Sequence, residues 1–347
     1  MPASEPRNSI YPPSLRRGDT IALISSGSAI GRRHKVETLD VAIAALEELG
    51  YQVRVMPHAR GHAPNGCAGT LEERVADLNA ALTDPDIKMV MGTVGGGGTF
   101  EVVCSGLVDW DALHSEPKLL CGYSDLAYLS VAAYLQLGLI TLDGPLAVFH
   151  FGCLPKPLDY GTESFHRVAT RPQPAGQLAP PPQMSYNPFE LSGPNDVSRR
   201  MHPPTPWRWL RTGKAAGRLL ALTPVQVVAF LEAGFDLSFK DHIWCLDAWV
   251  GEAEYGDALR RIAACGLLDD VAGLVVGRPV NMEKEQRPAT DQWDAALNDV
   301  LVGKEIPVLI DVDCGHTTPR LTVPNGVQAT LDSESQVFHI DEAAVKG

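Results

Sequence analysis

Between Thr20 and Ile140, short apolar runs alternate with segments whose apolar residues recur at helical spacing, and this alternation most narrows the fold. Thr20-Ile-Ala-Leu-Ile24 has the pattern of a buried strand and runs into the small-residue turn Ser25–Gly31. Val36 to Leu49 reads as a helix closed by Gly50, Tyr51–Met56 alternates like a strand, and Leu71 to Leu82 is again helical. Ile87–Met91 is a strand entering Gly92-Thr-Val-Gly-Gly-Gly-Gly98, and an apolar segment follows through Val103. A strand over Lys118–Cys121, a helix from Leu126 and a strand at Ile140 complete the series. Parallel strands need crossovers, and amphipathic helices supply them while covering the sheet. The expected class is α/β, with a parallel sheet and helices on both faces. Ligands of such sheets bind at the carboxyl ends of the strands. The loops there are Ser25–Gly31, Gly95–Gly98 and Gly122–Asp125.

In the last of these loops, Tyr123-Ser124-Asp125 stands where an apolar run stops and a helical pattern begins. A serine at a strand-to-helix junction is held clear of the sheet, near free backbone N–H groups and the positive end of the helix dipole. This is the setting of a nucleophile elbow, although the residues are Gly-Tyr-Ser-Asp and not Gly-x-Ser-x-Gly. Capping of the helix by Ser124 or Asp125 is the plainer alternative. Gly95-Gly-Gly-Gly98 lets backbone approach a ligand closely and could cradle a phosphate, supply oxyanion N–H groups or simply turn the chain. It is no P-loop, since Lys-Ser/Thr does not follow, and it lacks GxGxxG spacing.

Composition excludes several classes of function. The 347 residues are 45% hydrophobic and 20% charged, enough for one large or two medium soluble domains. A formal charge of −13 without a long basic cluster argues against a nucleic-acid partner. Met1 to Asp19 is polar and Pro-rich, and no apolar run is long enough for a bilayer, so neither a signal peptide nor a membrane partner is expected. Seven scattered cysteines without CxxC read as reduced thiols of a cytoplasmic protein, and ten histidines without HExxH give no support to a metal site.

Residues 171–206 are rich in Pro, Ser, Asn and Gln and read as a linker plus a surface loop, ending at Trp207 and Trp209. From Gly217 the globular pattern returns. Val225–Leu231 and Tyr255–Cys265 are helical, while His242–Leu246, Val271–Val276, Val308–Val312, Val327–Leu331 and Gln336–Ile340 are strands. His316 follows the Val308–Val312 strand in Asp311-Val-Asp-Cys-Gly-His316-Thr-Thr-Pro319. A serine nucleophile needs a base, and a loop histidine at a strand end could serve or could be plain surface. Asp247 ends another strand, where it could orient a histidine or cap the next helix.

Taken in order, Gly18-Asp-Thr-Ile-Ala, Gly95-Gly, Gly122-Tyr-Ser-Asp125, Asp143-Gly-Pro145, Gly217-Arg and Cys314-Gly-His316-Thr-Thr-Pro-Arg-Leu-Thr-Val-Pro-Asn-Gly326 resemble the LD-carboxypeptidase serine peptidase family. The resemblance runs from about Ser14 to Ile340, and the branch that confers self-immunity to microcin C is the most similar. It implies a Rossmann-like N-terminal domain (residues 1–170) with the nucleophile, the linker and loop (171–206), and a smaller α/β C-terminal domain (207–347) with acid and histidine. It implies Ser124 as nucleophile, His316 as base, and oxyanion N–H groups from Asp125 and the Gly95-Gly96-Gly97 turn. It further implies a cytoplasmic homodimer that needs no metal or cofactor and acts on a small-molecule or peptide-like substrate. An aromatic residue of that branch stacks on a nucleobase, a role that Trp207 or Trp209 could take unless both only pack the loop.

Two departures stand out. The family's acid is a glutamate, whereas Leu246-Asp247-Ala248 is one methylene shorter, with Glu252 and Glu254 as the next candidates. Leu219–Pro224 replaces a Gly-Gly-Asn-Leu segment that lines the family's substrate region. The expected activity is therefore a serine hydrolase cleaving an amide of a small peptide-like or specialised metabolite through an acyl-enzyme. The alternatives are an acyltransferase or cyclase using the same acyl-enzyme, and a binding homologue without catalysis.

Overall fold

The run Thr20–Ile24 forms β1, buried along its whole length, one strand in from an edge of the first sheet. The structure, a computed structural model, describes residues 9–32, 34–185, 201–248, 252–279 and 291–347. Beside β1 lie β2 (Gln52–Val55), β3 (Ile87–Gly92), β4 (Leu119–Cys121) and β5 (Thr141–Asp143), all parallel. The crossovers are helical: α1 (Thr38–Glu48), α2 (Leu71–Thr83), α3 (Thr99–Cys104), α4 (Trp110–Ser115) and α5 (Ala127–Leu137). Two of these, α3 and α4, are only six residues long, too short for a clear helical period in the sequence. After β5 comes α6 (Asp159–Ala169), which was also not anticipated.

The second sheet has eight strands in the order β6-β14-β13-β8-β9-β10-β11-β7. Its centre is parallel: β8 (Lys214–Leu222), β9 (His242–Leu246), β10 (Gly273–Gly277) and β11 (Val308–Val312). The flanks are antiparallel: β13 (Gln328–Asp332), β14 (Val337–Ile340) and β6 (Gly176–Gln177) on one side, β7 (Arg208–Arg211) on the other. The helices α7 (Pro224–Glu232), α8 (Glu252–Ala264) and α9 (Asp291–Val300) connect its strands.

One strand joins the two halves. Leaving β11, the chain passes through the His316 turn, and β12 (Val323–Asn325) then pairs antiparallel with β5 in the first sheet. Asn325, fully buried, donates to Thr141 Oγ1 at 3.2 Å and accepts the Ala221 amide at 2.8 Å, so it bridges both sheets. The Pro-rich stretch is more than a tether at its described ends. Gly176–Gln177 adds β6 to the second sheet, and Ser185 exchanges backbone hydrogen bonds with Thr318 at 2.6 and 3.2 Å. Residues 186–200 of that stretch lie outside the described residues.

Candidate active site

Strand β4 ends at Cys121, and the chain turns through Gly122 and an extended Tyr123 into Ser124, whose φ is +60°. A non-glycine residue in the left-handed region is strained, and such strain collects where a side chain must be aimed. Ser124–Leu126 then makes a single 3-10 turn that continues into α5. The buried carboxylate of Asp125 faces the other way. It accepts the Thr99 amide at 3.1 Å and the Thr99 hydroxyl at 2.6 Å, while Ser26 Oγ lies 2.7 Å from Thr99 Oγ1. Burial raises the Asp125 pKa, opposed by the Thr99 bonds and the charge of Arg74. Arg74, only 1% exposed, donates to the carbonyls of Ser26 and Gly98, both at 2.8 Å, and to Glu101 at 2.5 Å. The loops after β1, β3 and β4 are thus wired together by side chains.

The glycine turn fits against the elbow. A Cβ on Gly95 would sit 2.9 Å from both Cβ and Oγ of Ser124, so only glycine lets the loop pass there. Gly96 has φ +132°, and a Cβ on it would reach 2.2 Å from Ser28 Oγ. The Gly97 amide donates to Ser28 Oγ at 3.1 Å, which engages one of the N–H groups expected to face an oxyanion.

His316 arrives from the second sheet. Its Nε2 is 3.1 Å from Ser124 Oγ and its Nδ1 is 2.6 Å from Asp247 Oδ2. With Nδ1–H donating to the carboxylate, Nε2 is left to accept the serine hydroxyl proton. His316 is 4% exposed and Asp247 8%. The shorter acid therefore reaches the imidazole. Gly315 makes room for it, since a Cβ there would fall 2.8 Å from Asp247 Oδ1, an oxygen with no hydrogen-bond partner among the described residues. Glu254, the other described candidate, is exposed, and the side chain of Glu252 lies outside the described residues.

Buried groups missed in the sequence hold this arrangement. The Arg320 guanidinium donates to Asp143, to the Cys314 carbonyl at 2.6 Å and to the Gly144 carbonyl at 3.3 Å, gripping the His316 turn against the end of β5. Burial pushes the Asp143 carboxyl pKa up, and the Arg320 charge opposes it. Arg320 also lies 3.9 Å over the Tyr123 ring, which meets the His316 ring edge-on at 5.0 Å. Gln226 Nε2 donates to the Ser124 carbonyl at 2.7 Å, reaching across from α7. The Leu219–Pro224 segment that departs from the family pattern ends β8 and caps α7, and it is what delivers Gln226. Arg320 stands within a motif already singled out. Nothing in the sequence marked Gln226 or Arg74, because their partners lie 102 and 24–48 residues away.

Ser124, His316 and Tyr123 open onto a cavity of about 230 Å³, whose other walls include Gly95–Gly97, Ser28, Arg32, His34, Leu146 and Phe149. Trp207 and Trp209 do not line it. Trp207 Nε1 donates to the buried Asp313 at 2.8 Å, its ring packs 6.3 Å from Phe338, and Trp209 Nε1 donates to Gln336 at 3.2 Å. Trp207 immediately precedes β7 and Trp209 lies within it, at the edge of the second sheet. Among the described residues no group of three His, Cys, Asp or Glu side chains gathers as metal ligands, and no helix is long and apolar enough to cross a membrane.

Comparison with known proteins adds a second line. Residues 21–144 match the LD-carboxypeptidase N-terminal domain and residues 217–331 the C-terminal domain. The microcin C7 self-immunity protein MccF of Escherichia coli is 28% identical over 94% of this chain and 94% of its own. The murein tetrapeptide carboxypeptidase of Pseudomonas aeruginosa is 32% identical, over 43% of this chain and 46% of its own. A solved structure of MccF in complex with aspartyl sulfamoyl adenosine superposes with a TM-score of 0.86 at 24% identity, covering 97% of this chain and 100% of that one.

Proposed function

The chain belongs to the LD-carboxypeptidase family of serine peptidases, and on that premise we propose that it cleaves an amide bond of a small peptide-like or specialised metabolite through an acyl-enzyme on Ser124. One observation carries this reading: the unbroken line of contacts Ser124–His316–Asp247, at 3.1 and 2.6 Å, at the floor of the cavity. His316 Nε2 takes the hydroxyl proton as Ser124 Oγ attacks the amide carbon. Asp247 holds the imidazole in the required tautomer and stabilises the imidazolium. The oxyanion would be received by the Asp125 amide and by the Gly95 and Gly96 amides, Gly97 being occupied with Ser28. The imidazolium then protonates the leaving amine, the C–N bond breaks, and water deacylates the serine with His316 again as base. A relative's ligand, the aspartyl sulfamoyl adenosine of MccF, is an acyl group joined to a nucleoside through a sulfamoyl link, and it makes an acyl-nucleoside amide one reasonable substrate class for this chain. A cytoplasmic homodimer is part of the same reading, and light scattering tests the assembly.

The test is fluorophosphonate labelling followed by identification of the modified residue. Wild-type protein should be labelled on Ser124, and a substrate mixture should leave an acyl adduct there. Ser124→Ala should lose both, with a rate loss of about 10⁴-fold or more on the true substrate and an unchanged melting curve. A Ser124→Ala protein with near-wild-type rate would end the assignment.

A further inference from the structure

Tyr123 is the neighbour of the nucleophile in the chain and of the base in space. Its ring meets the His316 ring at 5.0 Å and 67°, and the residue is only 3% exposed. The serine chemistry gives it no task. His316 makes two hydrogen bonds at its ring nitrogens, to Asp247 and to Ser124. These set how far the imidazole reaches. Its tilt about the line between the two partners is resisted only by the angular preference of the bonds, which is broad. An aromatic ring packed against the imidazole removes that freedom, because any tilt would press the two rings together or open a gap between them.

Such a support works only if it is itself fixed. Arg320 Cζ lies 3.9 Å over the Tyr123 ring centroid. That guanidinium is in turn held by Asp143 and by the carbonyls of Cys314 and Gly144. His150 also meets the Tyr123 ring, at 5.6 Å and 82°. Burial pushes the Tyr123 phenol pKa well above its ordinary value, so the ring stays neutral. The ring, and not the hydroxyl, makes all of these contacts.

We propose that Tyr123 is a positioning residue for the base: its ring fixes the tilt of the His316 imidazole, so that the turn carrying the nucleophile also orients the group that takes its proton. The consequence for rate rests on the hydrolase reading above, whereas the consequence for the imidazole is visible in the free protein. A hydrogen bond as short as that from His316 Nδ1 to Asp247 gives its proton a far-downfield NMR signal, identified by its loss in His316→Gln. The wild type should show that signal sharp. Tyr123→Leu, which removes the ring, should broaden it beyond detection, and Tyr123→Phe, which keeps the ring, should rescue it. Fluorophosphonate labelling of Ser124 should follow the same order, with Tyr123→Leu slower by about 10- to 100-fold and Tyr123→Phe rescued, since small misplacements of a reacting group cost that much. Tyr123→Met, closer to tyrosine in length, replaces the leucine variant if melting curves show that the latter does not fold. A folded Leu or Met variant that keeps both signal and rate overturns the proposal. So does a Phe variant that loses them, because the hydroxyl would then be the working group, and so does a wild type without the signal, whose imidazole would not be held. Labelling of the wild type is scored separately: an unlabelled Ser124 removes the hydrolase reading, while a Tyr123-dependent signal keeps the positioning role.

Discussion

Ser124 is aimed by backbone more than by side-chain contacts. Its φ is +60°, Gly95 leaves space beside it and Gln226 holds its carbonyl. Gly95→Ala would bring a methyl group to 2.9 Å from the hydroxyl oxygen, and backbone on one side and a strained residue on the other leave little room to yield. We expect that variant to fold while its labelling by fluorophosphonate slows at least about 100-fold, since misplacement of a reacting atom by an ångström costs that much. Labelling at the wild-type rate would show that the glycine turn does not set the nucleophile. The His316 and Asp247 roles are ranked by the same logic. In the proposed mechanism the histidine moves the proton, while the aspartate orients and stabilises. His316→Ala should therefore cost more in kcat than Asp247→Asn, both by orders of magnitude. A silent Asp247→Asn would mean that the acid lies elsewhere.

At the scale of elements, α7 couples capping to the site. Thr223 accepts the Gln226 amide and Gln226 Oε1 accepts the Thr223 amide, a reciprocal capping box with Pro224 at the first turn. Gln226 Nε2 donates to the Ser124 carbonyl. Thr223→Ala and Gln226→Ala each break the cap and should each lower stability by about 1 kcal/mol. Only Gln226→Ala should also slow acylation, because it alone releases the elbow. Matched losses of rate in the two variants would reduce Gln226 to a cap. The β7 strand shows the opposite outcome. Trp207 was a candidate to stack on a ligand, and its N–H is engaged by Asp313, a buried carboxylate whose pKa burial pushes up and Arg278 counters.

At the scale of the whole molecule, the crossing from β11 to β12 links the two sheets and brings His316 Nε2 to 3.1 Å from Ser124 Oγ. Its buried neighbours give the protein a pH signature. Burial, and then the charge of Arg320, press the His150 pKa from 6.5 to about 3. A histidine lowered in this way contributes stability that is present above the unfolded pKa and lost as pH falls towards the folded one. From this residue the loss runs between pH 6.5 and about 3, near 1.4 kcal/mol for each pH unit. Asp125 and Asp143, with raised pKa values, act in the other direction and remain in both proteins compared. Urea midpoints at pH 7.5 and pH 5 should show His150→Gln losing roughly 2 kcal/mol less than wild type over that interval. Equal acid sensitivity in the two would place the effect elsewhere.

Local pattern along the chain was enough to read the class of the fold and the chemical types at the site. Periodicity is local, so β1, β3, β9 and β11 were legible within a residue or two, and so were the loops at their carboxyl ends. Ser124, His316 and Asp247 could be singled out because each stands where a strand pattern stops. Short helices such as α3 and α4 were not legible, since six residues carry less than two helical periods. Which of those loops meet could be learned from the packed sheets alone. That Asp247 reaches His316 despite its shorter side chain, that the Gly97 amide is spent on Ser28, and that Arg74, Gln226 and Arg320 fasten the loops together depend on contacts between residues far apart in the chain. Hydrogen bonds of that kind leave no period in a sequence, because burial and geometry choose the partners only after the sheets have packed.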